Sequence, residues 1–158
     1  MSTITLSNKE KLLLEDQKTH EQMCIEKYTN YSNQAKDAQL KQIFQANAAQ
    51  EKEHLNTINS MLNGQVPAMN QQPSQQASQS TAGSQMQNQA GMNCASDSDL
   101  CTDMLMTEKF VSGAYDTSIF EFQDTAARDM LNHIQKEEQK HGESIFKYMQ
   151  SKGMYNVQ

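Results

Sequence analysis

Cysteine is scarce in this chain: Cys24, Cys94 and Cys101 are the only three among 158 residues, and no two form a C-x-x-C pair. An odd number without paired spacing argues against both a disulfide framework and a zinc knuckle. Basic residues are also few, with 13 Lys and Arg against 19 Asp and Glu, a net charge of −6 and an isoelectric point near 5.1. Such a balance offers no patch for neutralising phosphates, so no nucleic-acid partner is expected. No apolar run approaches the roughly 18–20 residues that span a bilayer, which excludes membrane insertion by a helix. Residues 1–6 lack the basic segment and apolar stretch of a signal peptide, so synthesis in the cytoplasm is expected.

Hydrophobic residues make up only 36% of the chain and its mean hydropathy is −0.81. The deficit is local. Between Leu55 and Ser96 there is no charged residue, and both prolines, Pro67 and Pro73, fall in a tract of Gln, Asn, Ser, Ala, Gly and Met. Nothing in that composition can bury a core, so residues 64–97 are expected to form a flexible connector. The flanks, 6–63 and 98–152, carry ordinary amphipathic patterning. A length of 158 residues suits one domain with a real core.

The flanks repeat each other. Glu51-Lys52-Glu53-His54 returns as Glu138-Gln139-Lys140-His141, 87 residues later, and Glu21 returns as Glu108 at the same shift. Leu13, Asp16, Tyr28, Asp37 and Ile58 likewise match Leu100, Asp103, Tyr115, Asp124 and Ile145. Each half reads as a helical hairpin. Ser7 and Glu10 form a capping box for a first helix running to about Asn33, with an inward stripe of Leu13/Leu14, Glu21, Cys24/Ile25, Tyr28 and Tyr31. Asp37 caps a second helix that Gly64 stops. A third helix begins near Ser98, with Asp97, Asp99 and Asp103 beside its positive dipole end. Asp124 caps a fourth helix, which Gly153 ends. The expected architecture is an all-α four-helix bundle whose two hairpins are joined by a long crossover.

Six polar residues lie on the apolar faces. Glu51 is one helical repeat of seven from Phe44 and from Ile58, and Glu138 is placed likewise between Leu131 and Ile145. Glu21 lies between Leu14 and Tyr28, and Glu108 between Cys101 and Tyr115. Four carboxylates aimed into one core repel one another, and desolvation costs several kcal/mol each. Two metal ions resolve the conflict, because carboxylate and imidazole suit Fe or Mn. One Glu from each of two helices and a Glu-x-x-His from each of the other two is the ligand set of di-metal bundles. The expected metal ligands are therefore Glu21, Glu51, His54, Glu108, Glu138 and His141. No catalytic residue is assigned; Tyr28 and Tyr115, two turns from the glutamates, are candidates to support them, with ordinary core packing the bland reading. His20, His133, Glu26, Glu53, Glu121, Glu137 and Glu143 read as surface groups, with Glu121 also placed to approach the site from behind. Gly113 and Gly142 sit inside helices beside site residues, which suits close helix approach.

The second half also resembles a known family. Residues 103–109 (DMLMTEK), Tyr115, Arg128, His141, and the closing YMQSKGMY of residues 148–155 look like the coat F family of spore coat proteins. That resemblance implies a ferritin-like fold, an endospore-forming source, a place in the spore coat and other coat proteins as partners, with homo-oligomerisation open. The full ligand set is similar to rubrerythrins and other ferritin-like di-iron proteins. The paired C-x-x-C motifs of a rubredoxin-like domain are missing from these residues, so a reductant-driven peroxidase here would need an outside electron donor. Two functions follow: a structural coat component with a metal-binding bundle, or a di-iron or di-manganese oxidase, peroxidase or catalase-like protein acting on peroxide or Fe(II).

Overall fold

A computed structural model describes residues 2–69 and 95–157. Four helices dominate it: α1 (Asn8–Gln34), α2 (Ala38–Leu62), α3 (Asp97–Glu121) and α4 (Thr125–Ser151). α1 packs on α2 and α3 on α4 as two hairpins, and the hairpins close into a four-helix bundle through α1 against α3 and α2 against α4. Most of the expected connector, residues 70–94 with Pro73 and Cys94, lies outside the described residues.

Each helix starts where a side chain satisfies free backbone N–H groups. Ser7 Oγ accepts from Glu10 N, and Glu10 Oε2 accepts from Ser7 N at 2.7 Å, closing the capping box. Asp37 Oδ1 accepts from Gln39 N, and Asp124 Oδ1 from Ala127 N. The third helix starts at Asp97, close to the expected Ser98, and is capped by Ser96, which forms a second capping box with Asp99. Asp97, freed from capping, reaches across the bundle. Its carboxylate accepts from Lys36 N at 2.8 Å and Asp37 N at 2.9 Å in the α1–α2 turn. Glu10 does the same at the opposite corner, accepting from Gln123 N at 3.0 Å in the α3–α4 turn.

Gly64 ends α2 with φ +77, donating to Met61 O. A Cβ there would also meet Ile4 O at 3.0 Å, so both backbone conformation and space require glycine. Beyond it the chain does bury something: β2 (Gln65–Val66) pairs antiparallel with β1 (Ser2–Thr3), and Val66 and Ile4 join the core. The uncharged tract thus begins ordered, because an N-terminal strand supplies the partner that composition alone does not reveal.

The core has two apolar ends. One gathers Leu14, Ile58, Val111, Leu131 and Ile134, the other Leu40, Phe44, Leu100, Met104 and Ile145. The expected stripes face inward, with Gln17, Met61 and Ser118 added to them. Gln17 and Ser118 satisfy each other across α1 and α3 at 3.1 Å, which makes two buried polar groups tolerable.

Candidate metal centre

Between the two apolar ends sits a polar layer. Glu21, Glu51, His54, Glu108, Glu138 and His141 are all buried there, and none is more than 5% exposed. The helices that carry them approach from four sides, so the six converge as the seven-residue spacing requires. Two groups of ligand-capable atoms form, each with all members within 4.8 Å of one another: Glu21, Glu51, His54 and Glu138, and then Glu51, Glu108, Glu138 and His141. Glu51 and Glu138 belong to both. Each cluster therefore has one imidazole, one carboxylate of its own and two shared carboxylates.

Contacts within the layer are short but poorly directed. His54 Nδ1 lies 3.1 Å from Glu51 Oε2, 3.0 Å from Glu138 Oε1 and 3.6 Å from Glu21 Oε2. His141 Nδ1 lies 3.2 Å from Glu51 Oε1, 3.3 Å from Glu138 Oε2 and 3.6 Å from Glu108 Oε1. Yet Glu21 Oε2, Glu51 Oε1, Glu108 Oε2, both oxygens of Glu138 and His141 Nδ1 make no hydrogen bond of acceptable angle. Buried polar atoms are normally satisfied, and orphans cost about 1–3 kcal/mol each. Lone pairs that miss one another but converge on common points are what a cation pair would satisfy. The donor set, four carboxylates and two imidazoles, fits Fe or Mn.

The electrostatics of the metal-free layer lead the same way. Burial pushes Glu21 well above the usual carboxylate range and Glu108 up to about 8, with repulsion from Glu51 and Glu138 adding to both. Burial would also raise Glu51 and Glu138, but the close approach of the two imidazoles outweighs it and holds both below the usual range. Burial alone would lower the imidazoles, whereas the carboxylates around them lift His54 well up and His141 to about 11. Without cations the layer thus pits buried carboxylates against one another, and only the two imidazoles offset them. Two divalent ions against four carboxylates would be neutral.

Two tyrosines brace the layer crosswise. Tyr28 on α1 donates to Glu108 on α3, and Tyr115 on α3 donates to Glu21 on α1. Burial pushes both phenols well up, so they remain donors. Sequence spacing related each tyrosine to the glutamate of its own helix; the contact runs to the other one. Glu137 differs more. It is not a solvated charge: its Oε2 lies 2.8 Å from His54 Nε2 and accepts from Gln50 Nε2 at 2.9 Å. Spacing along α4 carries no signal of this contact, because its partner His54 lies on α2. Glu121 stays outside, paired with Lys9 at the surface, and His133 and Glu143 are exposed. Cys24 and Cys101 are buried free thiols. Neither helical glycine is a point of tight approach: a Cβ at Gly113 meets nothing within 4 Å, and one at Gly142 meets Leu105 Cδ1 at an ordinary 3.7 Å. Both instead line a cavity of about 450 Å³ between α3 and α4 that Glu108 and Glu138 also line.

Each half of this arrangement matches a known family. The chain carries a rubrerythrin domain and a Coat F domain. The rubrerythrin model matches residues 13–88 and the Coat F domain model residues 96–158. No curated protein and no solved structure matches the chain. The rubrerythrin half contributes Glu21, Glu51 and His54, and the Coat F half contributes Glu108, Glu138 and His141. Neither half makes a complete cluster, because each group needs residues from both. Among the described residues, no helix is long and apolar enough to cross a membrane.

Proposed function

We propose that this protein holds two Fe or Mn ions in its polar layer and acts as a rubrerythrin-like oxidoreductase that removes peroxide or oxidises Fe(II). The observation that carries this reading is the pair of four-residue clusters sharing Glu51 and Glu138. His54 and Glu21 would hold one ion and His141 and Glu108 the other, with Glu51 and Glu138 available to both. Bound iron or manganese would supply the redox change that carboxylates and imidazoles lack, one electron per ion, so that a pair matches a two-electron oxidant. The protein's own groups do the rest. Tyr28 and Tyr115 fix the orientation of Glu108 and Glu21, and the apolar ends of the core keep bulk water from the layer. The cavity between α3 and α4 gives a small oxidant room to approach past the two glycines. The test is metal analysis after purification without chelators, followed by turnover of peroxide with an added electron donor and of Fe(II) with dioxygen. About two ions per chain with turnover support the reading; fully loaded protein that turns over neither substrate defeats the enzymatic part.

The Coat F match over residues 96–158 favours a place for this chain in the spore coat, beside other coat proteins. Fractionation of spores with an antibody to the chain tests that placement. Signal confined to the core or to the mother-cell cytoplasm would oppose it.

A further inference from the structure

The two imidazoles face the polar layer alike, but their outer nitrogens do not have equal partners. His54 Nε2 meets Glu137 Oε2 at 2.8 Å. That carboxylate is held from a second side by Gln50 Nε2 at 2.9 Å, and its other oxygen lies 3.5 Å from His133 Nε2. With Nε2–H donating to Glu137, the Nδ1 lone pair of His54 is fixed toward Glu21, Glu51 and Glu138. His141 Nε2 has no carboxylate within ion-pair reach among the described residues. The residue that the repeat places opposite Glu137 is Gln50, an amide rather than a carboxylate, and it turns toward Glu137 and sits 3.5 Å from His54 Nε2. Both members of the outer pair therefore serve one histidine. The His141 ring is held by packing, edge-on to Tyr28 with centroids 6.1 Å apart and stacked on His54 at 5.7 Å.

A carboxylate behind a metal-bound imidazole fixes its tautomer and ring orientation and makes its ligating nitrogen a better donor; removing such a partner typically costs 10–100-fold in metal affinity. Resting on the reading that the layer takes two ions, we propose that Glu137 positions His54 and thereby makes the two metal positions unequal, the His54 position being the tighter. Glu137 is a positioning residue, reached by solvent through a cavity of about 340 Å³ between α2 and α4 that Gln50, His54 and His133 also line.

The experiment is a titration of metal-free protein with Mn(II), following free Mn(II) by its electron paramagnetic resonance signal. Wild type should take up two ions in two resolved steps. Glu137→Gln, which keeps shape and removes charge, should weaken the first step about 10–100-fold and leave the second in place. His54→Asn should remove the tight step and His141→Asn the weak one, which ties the order to the residue. His133→Ala, which touches only the outer side of Glu137, should change neither. A merely structural role for Glu137 would weaken both steps equally, and that result overturns the proposal, as does a Glu137→Gln titration identical to wild type. Two ions bound with equal affinity in wild type also overturn it while leaving the two-ion reading intact. Wild type that takes up no Mn(II) overturns both.

Discussion

The two hairpins are the same device built twice, and the fidelity of the copy changes from one layer to another. At the corners it is close: Glu10 clasps Gln123 and Asp97 clasps Lys36, and each partner is 87 residues from its counterpart. In the polar layer the six candidate ligands and the two bracing tyrosines repeat without change. One step outward the copy breaks, with Gln50 opposite Glu137, Glu26 opposite Gly113 and Leu55 opposite Gly142. Groups in the shared centre have stayed paired, whereas these groups just outside it have diverged. The resulting site has a symmetric interior and an asymmetric approach.

The largest effects should come from breaking the shared pair. Glu51 and Glu138 belong to both clusters, Glu21 and Glu108 to one each. Glu51→Gln or Glu138→Gln should reduce bound Fe or Mn from about two ions to well under one per chain. Glu21→Gln or Glu108→Gln should leave about one. Metal analysis of the four variants at equal loading distinguishes the classes. Equal losses in all four would remove the distinction between shared and private ligands.

Filling the centre should also reverse the dependence of stability on pH. In the metal-free protein Glu108 is raised from 4.5 to about 8 and His141 from 6.5 to about 11. A group whose folded value is raised stabilises fully below its unfolded value, and that contribution is lost as pH rises through the folded one. The metal-free melting temperature should therefore fall as pH rises from about 6.5 toward 9. Glu51 and Glu138, held low, lose their contribution only in acid. Ions need deprotonated ligands, so their stabilisation grows over the same range. Thermal melts at pH 6 and pH 8.5, with and without Mn(II), should show a gap that widens with pH; a constant gap would mean that uptake displaces no protons.

Much of this was readable in the residues. A strict repeat of Glu and Glu-x-x-His inside apolar heptads leaves those side chains nowhere to go but the centre of a bundle, and the four helices follow from the same pattern. Which helix a side chain crosses to is a different matter, because spacing reports a face and not a neighbour. Tyr28 and Tyr115 illustrate it: each lies two turns from a glutamate on its own helix and donates to the one opposite. Glu137 reads as a surface charge since it borders Glu138 on the flank of the stripe, and only the approach of α2 brings His54 to it. Asp97 reads as a favourable charge at a helix start, and the α1–α2 turn that it binds is invisible until the hairpins close.

The corner clasps allow a smaller comparison. Glu10 is buried and serves both its own capping box and Gln123 N, whereas Asp97 is half-buried and caps nothing on its own helix. Glu10→Ala removes a cap and a cross-bundle acceptor and should cost about 2–3 kcal/mol. Asp97→Ala removes acceptors for two turn N–H groups that water can partly replace, and should cost about 1 kcal/mol. Urea unfolding of the metal-free variants measures both. Equal costs would show that the α1–α2 turn is as dry as its counterpart.

The smallest effect should run the other way. Gly113 and Gly142 stand where the first hairpin has Glu26 and Leu55, and glycine inside a helix costs about 1 kcal/mol relative to alanine. A Cβ at Gly113 meets open space, and at Gly142 it meets Leu105 and Glu108 at 3.7 and 3.9 Å. Neither contact opposes the gain, so Gly113→Ala and Gly142→Ala should each stabilise the metal-free protein by about 0.5–1 kcal/mol, or about 2–4 °C in melting temperature. Since the fold does not need these glycines, their use lies in the cavity that they line between α3 and α4. Gly142→Leu, restoring the residue of the first hairpin, should therefore leave metal content unchanged and slow peroxide consumption by loaded protein. Destabilisation by alanine at either position would instead mean that α3 and α4 close more tightly in solution than the 3.7 Å contact allows, and the cavity would lose its place in the mechanism.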